Sequence, residues 1–179
     1  MAGTPEDNEA IRQVIAAYAH AIDRCRWDMM AKVFHDDAEY GFGPVGGSWR
    51  DFVPQAQAIV EPCLATQHQL GQSMISYESE ILAHTETYFN AVHTIPSGYR
   101  VTDVFPDKGK IYTAVIAGRY VDRFEKRDGE WRIARRSGLY DWREFREVDG
   151  VDLSQLPKGA GGQRDDRDPS TAVAAHWRS

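Results

Sequence analysis

The stretch IRQVIAAYAHAIDRCRWD, residues 11–28, decides the first element of the fold and raises a chemical question. Ile11, Val14, Ile15, Tyr18, Ala19 and Ile22 recur at three- and four-residue steps, the spacing of one helix face. Upstream, Thr4-Pro5 reads as a helix start, and Glu6 and Asp7 suit its positive end, so the spacing predicts a helix from there to about Asp23. Asp23 falls four residues after Ala19 and eight after Ile15, on the same inward stripe. It also sits at the helix C-terminus, where the macrodipole disfavours negative charge. Two readings follow from spacing alone: a solvated helix end paired with Arg24 or Arg26, or a carboxylate that faces an imidazole inside the fold.

Beyond that helix, Trp27–Phe34 reads as a short second helix with Met30, Val33 and Phe34 inward, ended by His35-Asp36-Asp37. Ala38–Phe42 is expected as a short strand, Gly43-Pro44-Val45-Gly46-Gly47 as a loop. A third helix is expected from about Asp51, with Phe52, Ala56, Ile59, Val60 and Cys63 as its apolar stripe. The texture then turns to β: Thr66–Tyr77 and Ser79–Ile95 alternate, and Lys110–Lys126 with Glu130–Arg143 form a hairpin around Arg127-Asp128-Gly129. Helices followed by long antiparallel strands make an α+β layout. Residues 1–150 are expected to form one domain. The Gly-rich, charged remainder, 151–179, is expected to be a tail, either flexible or docked through Val173 and Trp177 over the body or a neighbouring subunit.

Composition narrows the function. A chain of 179 residues with 42% hydrophobic and 27% charged content suits one globular domain. A net charge of −6, without a basic run, gives no reason to expect nucleic acid or an anionic membrane as partner. No apolar run approaches the roughly 20 residues of a membrane span. The opening MAGTPEDNEA is unlike a secretory leader, so the expected location is cytoplasmic. Cys25 and Cys63 read as reduced thiols; a Cys63–His68 catalytic pair has no local signature. Phosphate-loop, G-x-S-x-G and H-E-x-x-H patterns are missing, and the adjacent side chains of His35-Asp36-Asp37 do not converge on one ion. A site without metal or cofactor is expected.

The candidate chemistry then rests on a few side chains. On period two, His68 shares a face with Thr66, Leu70, Gln72 and Met74, and His93 one with Ile81, Ala83, Phe89 and Ala91. Either histidine alone could be a satisfied core residue. A carboxylate bonded to one ring nitrogen, however, fixes the tautomer and raises the basicity of the other, which makes a general base. Alternation sets Arg136 with Ala134, Gly138, Tyr140 and Trp142, and Arg135 with Trp131, Ile133 and Leu139. One of the two points inward, either to stabilise a developing anion or to pair across strands with Asp122 or Glu125. Tyr18, Tyr40, Phe42, Trp49, Tyr140 and Trp142 would suit an aromatic ligand, or serve as core.

These residues resemble a family. The A-x-D ending of the first helix, Trp27-Asp28, the segment from Phe34 to Tyr40, the histidine strand Thr66–Ile75, Gly118-Arg119-Tyr120-Val121-Asp122 and Asp128-Gly129-x-Trp131-Arg132-Ile133-x-x-Arg136 are similar to the SnoaL-like branch of the NTF2-like superfamily. That branch includes scytalone dehydratase and the hexachlorocyclohexane dehydrochlorinase. The resemblance covers about residues 6–145. It implies a cone: a curved mixed sheet wrapped around a long N-terminal helix, with two shorter helices. It also implies His68 as base, Asp23 as its orienting partner, and Tyr18 and Arg136 as catalytic helpers. Tyr40, Phe42, Trp49, His93, Tyr140 and Trp142 would line the substrate site. Tyr18 stands where the dehydrochlorinase has lysine, which argues against halide loss, and Gln72 where several relatives have asparagine.

The function so implied is a cofactor-independent lyase acting on a small hydroxylated aromatic molecule. Dehydration is one such reaction; retro-aldol loss of formaldehyde from a lignin-derived diol is another. The alternatives are an isomerase or cyclase using the same dyad, and a non-catalytic module such as a dioxygenase small subunit. A homo-oligomer, dimer or trimer, is the expected assembly.

Overall fold

A computed structural model describes residues 3–42, 45–99, 104–147, 157 and 160–178. Helix α1 spans Pro5–Asp23, and the Thr4 hydroxyl caps it by accepting the Asp7 N–H at 3.1 Å. Its inward stripe is the expected one, with Ile11, Val14, Ile15, Tyr18, Ala19, Ile22 and Asp23 all buried. The Asp7 carboxylate accepts the Trp131 indole N–H at 2.7 Å and pairs with Lys126 at 2.9 Å, which holds its pKa down at about 2. These bonds pin the first turn of the helix to the sheet.

The second helix is shorter than expected. A 3₁₀ turn, Trp27–Met29, leads into α2, Met30–Val33, and the chain is extended from Phe34. His35, Asp36 and Asp37 therefore lie within strand β1, Phe34–Phe42, instead of ending a helix. The reason is pairing: Phe34 meets Ile133 of strand β6, Glu130–Glu147, in parallel register, and Tyr40 meets Arg136. The expected loop is in part a strand, since β2, Val45–Ser48, returns antiparallel beside β1; Gly43 and Pro44 lie outside the described residues. Helix α3, Trp49–Val60, begins two residues before the expected Asp51 because Ser48 and Asp51 form a capping box.

The remaining strands are β3, Ala65–Ser79, β4, Leu82–Ile95, and β5, Tyr112–Arg127. With β6 they give, among the described residues, one six-stranded mixed sheet in the order β2-β1-β6-β5-β4-β3, parallel between β1 and β6 and antiparallel elsewhere. The β5–β6 hairpin closes on Asp128 and Gly129, whose φ angles of 53° and 83° are those of a two-residue primed turn. The sheet curls around α1, which lies against β3 and β6. This is the expected α+β architecture.

Irregularities in β3 and β6 overturn the simple face assignments. In β3 the register shifts between Leu70 and Ser73, so Thr66, His68 and Leu70 face inward and are followed by Ser73, Ile75 and Tyr77. Met74, expected on the His68 face, is 70% exposed. In β6 an extra residue at Ala134 brings Trp131, Ile133, Arg136 and Gly138 to one buried face. A second, at Asp141, separates Trp142 from Tyr140, leaving Trp142 outside. Glycine is required at Gly118, where a Cβ would lie 2.0 Å from the Leu139 carbonyl oxygen. At Gly138 a Cβ would enter the Phe42 ring.

The domain boundary expected at residue 150 lies outside the described residues. Farther on, Ala174 of the short helix α4, Thr171–Ala174, is buried and Trp177 packs against the core, whereas Val173 is exposed. Arg26 pairs with Asp166 at 2.8 Å and Arg178 with Asp28 at 2.7 Å, fastening this segment beside the end of α1. Among the described residues, no helix is long and apolar enough to cross a membrane.

Candidate functional site

Asp23, the last residue of α1, meets β3 at the centre of the site. One carboxylate oxygen accepts from His68 Nδ1 at 2.7 Å and the other accepts the His68 backbone N–H at 2.6 Å. The two-point grip fixes both the ring and the strand that carries it. Because a carboxylate only accepts, Nδ1 carries the proton and Nε2 is left for a ligand. Burial pushes the Asp23 carboxyl up, but the hydrogen bonds and charge of His68 outweigh it and leave the group more acidic than usual. The unfavourable helix-end position is thus offset by the imidazole.

His68 lines a mostly apolar cavity of about 70 Å³ between α1, α3 and the sheet. Its other polar groups are Tyr18, Tyr40, His93, Tyr120 and Tyr140. The hydroxyls of Tyr18 and Tyr40 are 2.7 Å apart. Burial raises the pKa of both, with Tyr40 raised further; at Tyr18 the Arg136 charge partly counters the effect. Tyr18 is therefore the more acidic phenol. Phe42 stacks on Tyr140 with ring centroids 4.5 Å apart, and Tyr140 is 42% exposed, so this pair lies where the cavity meets solvent.

Arg136 is inward, yet it does not line the cavity. Its Nε and Nη2 donate to Asp122 at 2.7 and 2.6 Å, the cross-strand pairing weighed as its structural role. Its guanidinium carbon lies 4.1 Å from the Tyr18 ring centre and 4.3 Å from that of Tyr120. Burial opposes its charge, but Asp122 more than restores it, so Arg136 stays protonated and acts on the cavity through Tyr18. Trp49 and Trp142 also lie outside the lining: Trp49 stacks on Phe34, and Trp142 is 48% exposed.

His93 faces the cavity with its ring edge-on to His68, centroids 5.5 Å apart, and its Nδ1 has no partner among the described residues. Burial, then the charge of His68, pushes its pKa down to about 3. The sign follows: an unfolded histidine takes a proton near pH 6.5 and the folded one does not until about pH 3, so the unfolded chain binds the extra proton in that window. His93 is expected to make stability rise with pH between these limits, by up to about 1.4 kcal/mol per pH unit. Denaturant unfolding at pH 4 to 6.5 should show a shallower rise in His93→Gln; equal slopes would assign the dependence to other groups.

Phe52, Phe89, Phe105, Ile116 and Tyr120 also line the cavity, and sequence analysis did not single them out as site residues. For Ile116 and Tyr120 the signal was present: every second residue from Ala114 to Phe124 is buried, the alternation of a strand with one face inward. Phe105 follows from no local pattern. Among the described residues, no group of three or more His, Cys, Asp or Glu side chains is placed to share a metal ion.

The same architecture occurs in a hexachlorocyclohexane dehydrochlorinase of type 2, with TM-score 0.68, 18% identity and coverage of 86% of this chain and 95% of that one. A candidate scytalone dehydratase from Novosphingobium aromaticivorans gives TM-score 0.62 at 21% identity, covering 83% and 93%. The β subunit of a candidate aromatic-ring-hydroxylating dioxygenase from the same organism gives 0.55 at 22%, covering 76% and 90%. No curated protein sequence matches. At these identities the structures establish the fold and leave the reaction open. The sequence itself decides the family, because residues 4–137, from the cap of α1 to the strand that carries Arg136, match the SnoaL-like domain: the chain belongs to the SnoaL-like family.

Proposed function

We propose that this chain is a cofactor-independent lyase for a small hydroxylated aromatic substrate, with His68 as general base. The observation that supports this most strongly is the two-point grip of Asp23 on His68 at the wall of an apolar cavity. A buried carboxylate spent on orienting one imidazole makes the opposite nitrogen a positioned base. Tyr18 is the proton donor to the departing oxygen, and Arg136 is a positioning residue that makes that phenol more acidic. In a dehydration, Nε2 takes a proton from carbon, the C–O bond breaks, and water leaves with the Tyr18 proton. In a retro-aldol cleavage, Nε2 takes the proton of a CH₂OH group. Formaldehyde then departs as the C–C bond breaks, and the electron pair expels an activated leaving group on the next carbon.

Tyr40, His93 and Tyr140 contact the substrate in this reading. Cavities that hold benzene measure about 150 Å³. With about 70 Å³ open, an aromatic ring enters as the Phe42–Tyr140 pair shifts toward solvent. The proposed working assembly is a homo-oligomer, dimer or trimer.

The test is to incubate the purified protein, without added cofactor, with a panel of β-hydroxylated aromatic alcohols and 1,3-diols. New conjugated-alkene absorbance without formaldehyde indicates dehydration, and trapped formaldehyde indicates the retro-aldol reaction. An isomer of unchanged mass would place the same dyad in an isomerase. Absence of turnover across the panel, together with co-purification of an iron–sulfur protein, would replace the lyase reading with that of a dioxygenase small subunit.

A further inference from the structure

We infer that Arg164, carried by the C-terminal segment, is a positioning residue of the His68–Asp23 dyad, acting through the hydroxyl of Thr66; the role in catalysis rests on the reading of His68 as base. Arg164 reaches back across the fold to donate from Nη2 to Thr66 Oγ1 at 2.8 Å. Its Nη1 donates to the carbonyls of Val60 at 3.1 Å and Cys63 at 3.0 Å, just past α3, where the helix dipole favours a cation. Thr66 is buried on the inward face of β3, two residues before His68.

The polarity of the Arg164–Thr66 bond is fixed by what each group can do. A guanidinium only donates, so Thr66 Oγ1 accepts from it, and the contact is lost when either the hydroxyl or the guanidinium is removed. Two residues along the same strand, the Asp23 carboxylate accepts the His68 backbone N–H at 2.6 Å, so Arg164 and Asp23 hold one short stretch of β3 at two points. The C-terminal segment, a strap across the fold, is thus tied to the dyad through the β3 backbone between Thr66 and His68. The strap holds Arg164 in place through Asp168, which accepts the Gln163 N–H at 2.7 Å and the Ser170 N–H at 2.9 Å, and through the Arg26–Asp166 pair. Arg164 lies beyond the residues 4–137 that match the family domain, so this chain supplies the support from outside the shared core.

The deciding experiment needs no substrate. In the full chain with ¹⁵N-labelled histidine, the His68 Nδ1 proton bonded to Asp23 is observed by NMR in wild type, Thr66→Val, Arg164→Met, Arg164→Lys and the Thr66→Val/Arg164→Met double variant. Thr66→Val keeps the carbonyl contacts of Arg164, and so leaves the strap attached. Both single variants are expected to move or broaden the resonance, the double variant no more than either single one, and Arg164→Lys to restore it in part. An unmoved resonance in Arg164→Met, or single effects that simply add, would make Arg164 a clasp for the tail and overturn the inference.

If the substrate panel yields a reaction, Arg164→Met should also lower kcat by about tenfold with KM little changed, within the coupling range of contacting residues. A coupled NMR response without turnover on any substrate would leave the positioning role of Arg164 standing and remove the lyase reading. Turnover without an NMR response would do the reverse.

Discussion

Replacing Asp122 with alanine is expected to destabilise the fold by about 3–5 kcal/mol, because it strands a buried cation. Both side chains of the Arg136–Asp122 pair are wholly inaccessible, and Asp122 takes two of the guanidinium's hydrogen bonds. The faces of the guanidinium are covered by Tyr18 and Tyr120, and Nη1 has no acceptor among the described residues. Without Asp122 the charge keeps only the ring faces, which are worth far less than a carboxylate. Removing both charges, as in Asp122→Leu/Arg136→Met, should recover much of the loss, since the destabilisation lies in the unpaired ion. Urea unfolding checks this through a fall in midpoint at constant slope. A loss below about 1 kcal/mol in Asp122→Ala would mean that water reaches Arg136 and screens its charge from the Tyr18 phenol.

The two halves of the site differed in how far the sequence exposed them, and the reason is physical. Asp23 was conspicuous because helical periodicity is rigid: eight residues from Ile15 on a regular helix leaves little choice of direction. His68 needed the same service from a strand, and Thr66-x-His68 supplied it only up to the irregularity at Gly71-Gln72. Such a bulge adds one residue without a compositional mark, and every later side chain then changes face. Two of them in β6 explain why Arg136 joined Trp131 and Ile133, and why Trp142 left Tyr140.

Contacts between elements were harder still. Asp23 and His68 meet 45 residues apart, and only the resemblance to a family suggested it. Arg164 reaches Thr66 from 98 residues away, from a segment whose Gly-rich composition reads as a tail. Its ordering comes from charges that a composition count treats as solvating, such as Asp166 and Asp168, which here accept specific bonds from Arg26, Gln163 and Ser170.

Asp23→Asn should leave the fold nearly intact and lower kcat by about 10³- to 10⁴-fold, because it turns the imidazole the wrong way round. The carboxylate serves two donors at once, the ring Nδ1–H and the backbone N–H of His68. An amide has one oxygen and one NH₂ to offer in its place. If the NH₂ faces Nδ1, the ring proton moves to Nε2 and the base nitrogen is blocked. If it faces the backbone N–H, two donors confront each other and β3 is pushed from α1. His68→Ala removes the base itself and should reduce turnover to background. Single-turnover rates on whichever alcohol or diol the panel identifies separate this loss from a loss of binding. Turnover surviving in His68→Ala would leave His93 as the other imidazole among the described cavity-lining residues. That nitrogen, its pKa pushed down to about 3 by burial, is too weak a base to carry the reaction near neutral pH, so survival would refute imidazole catalysis altogether.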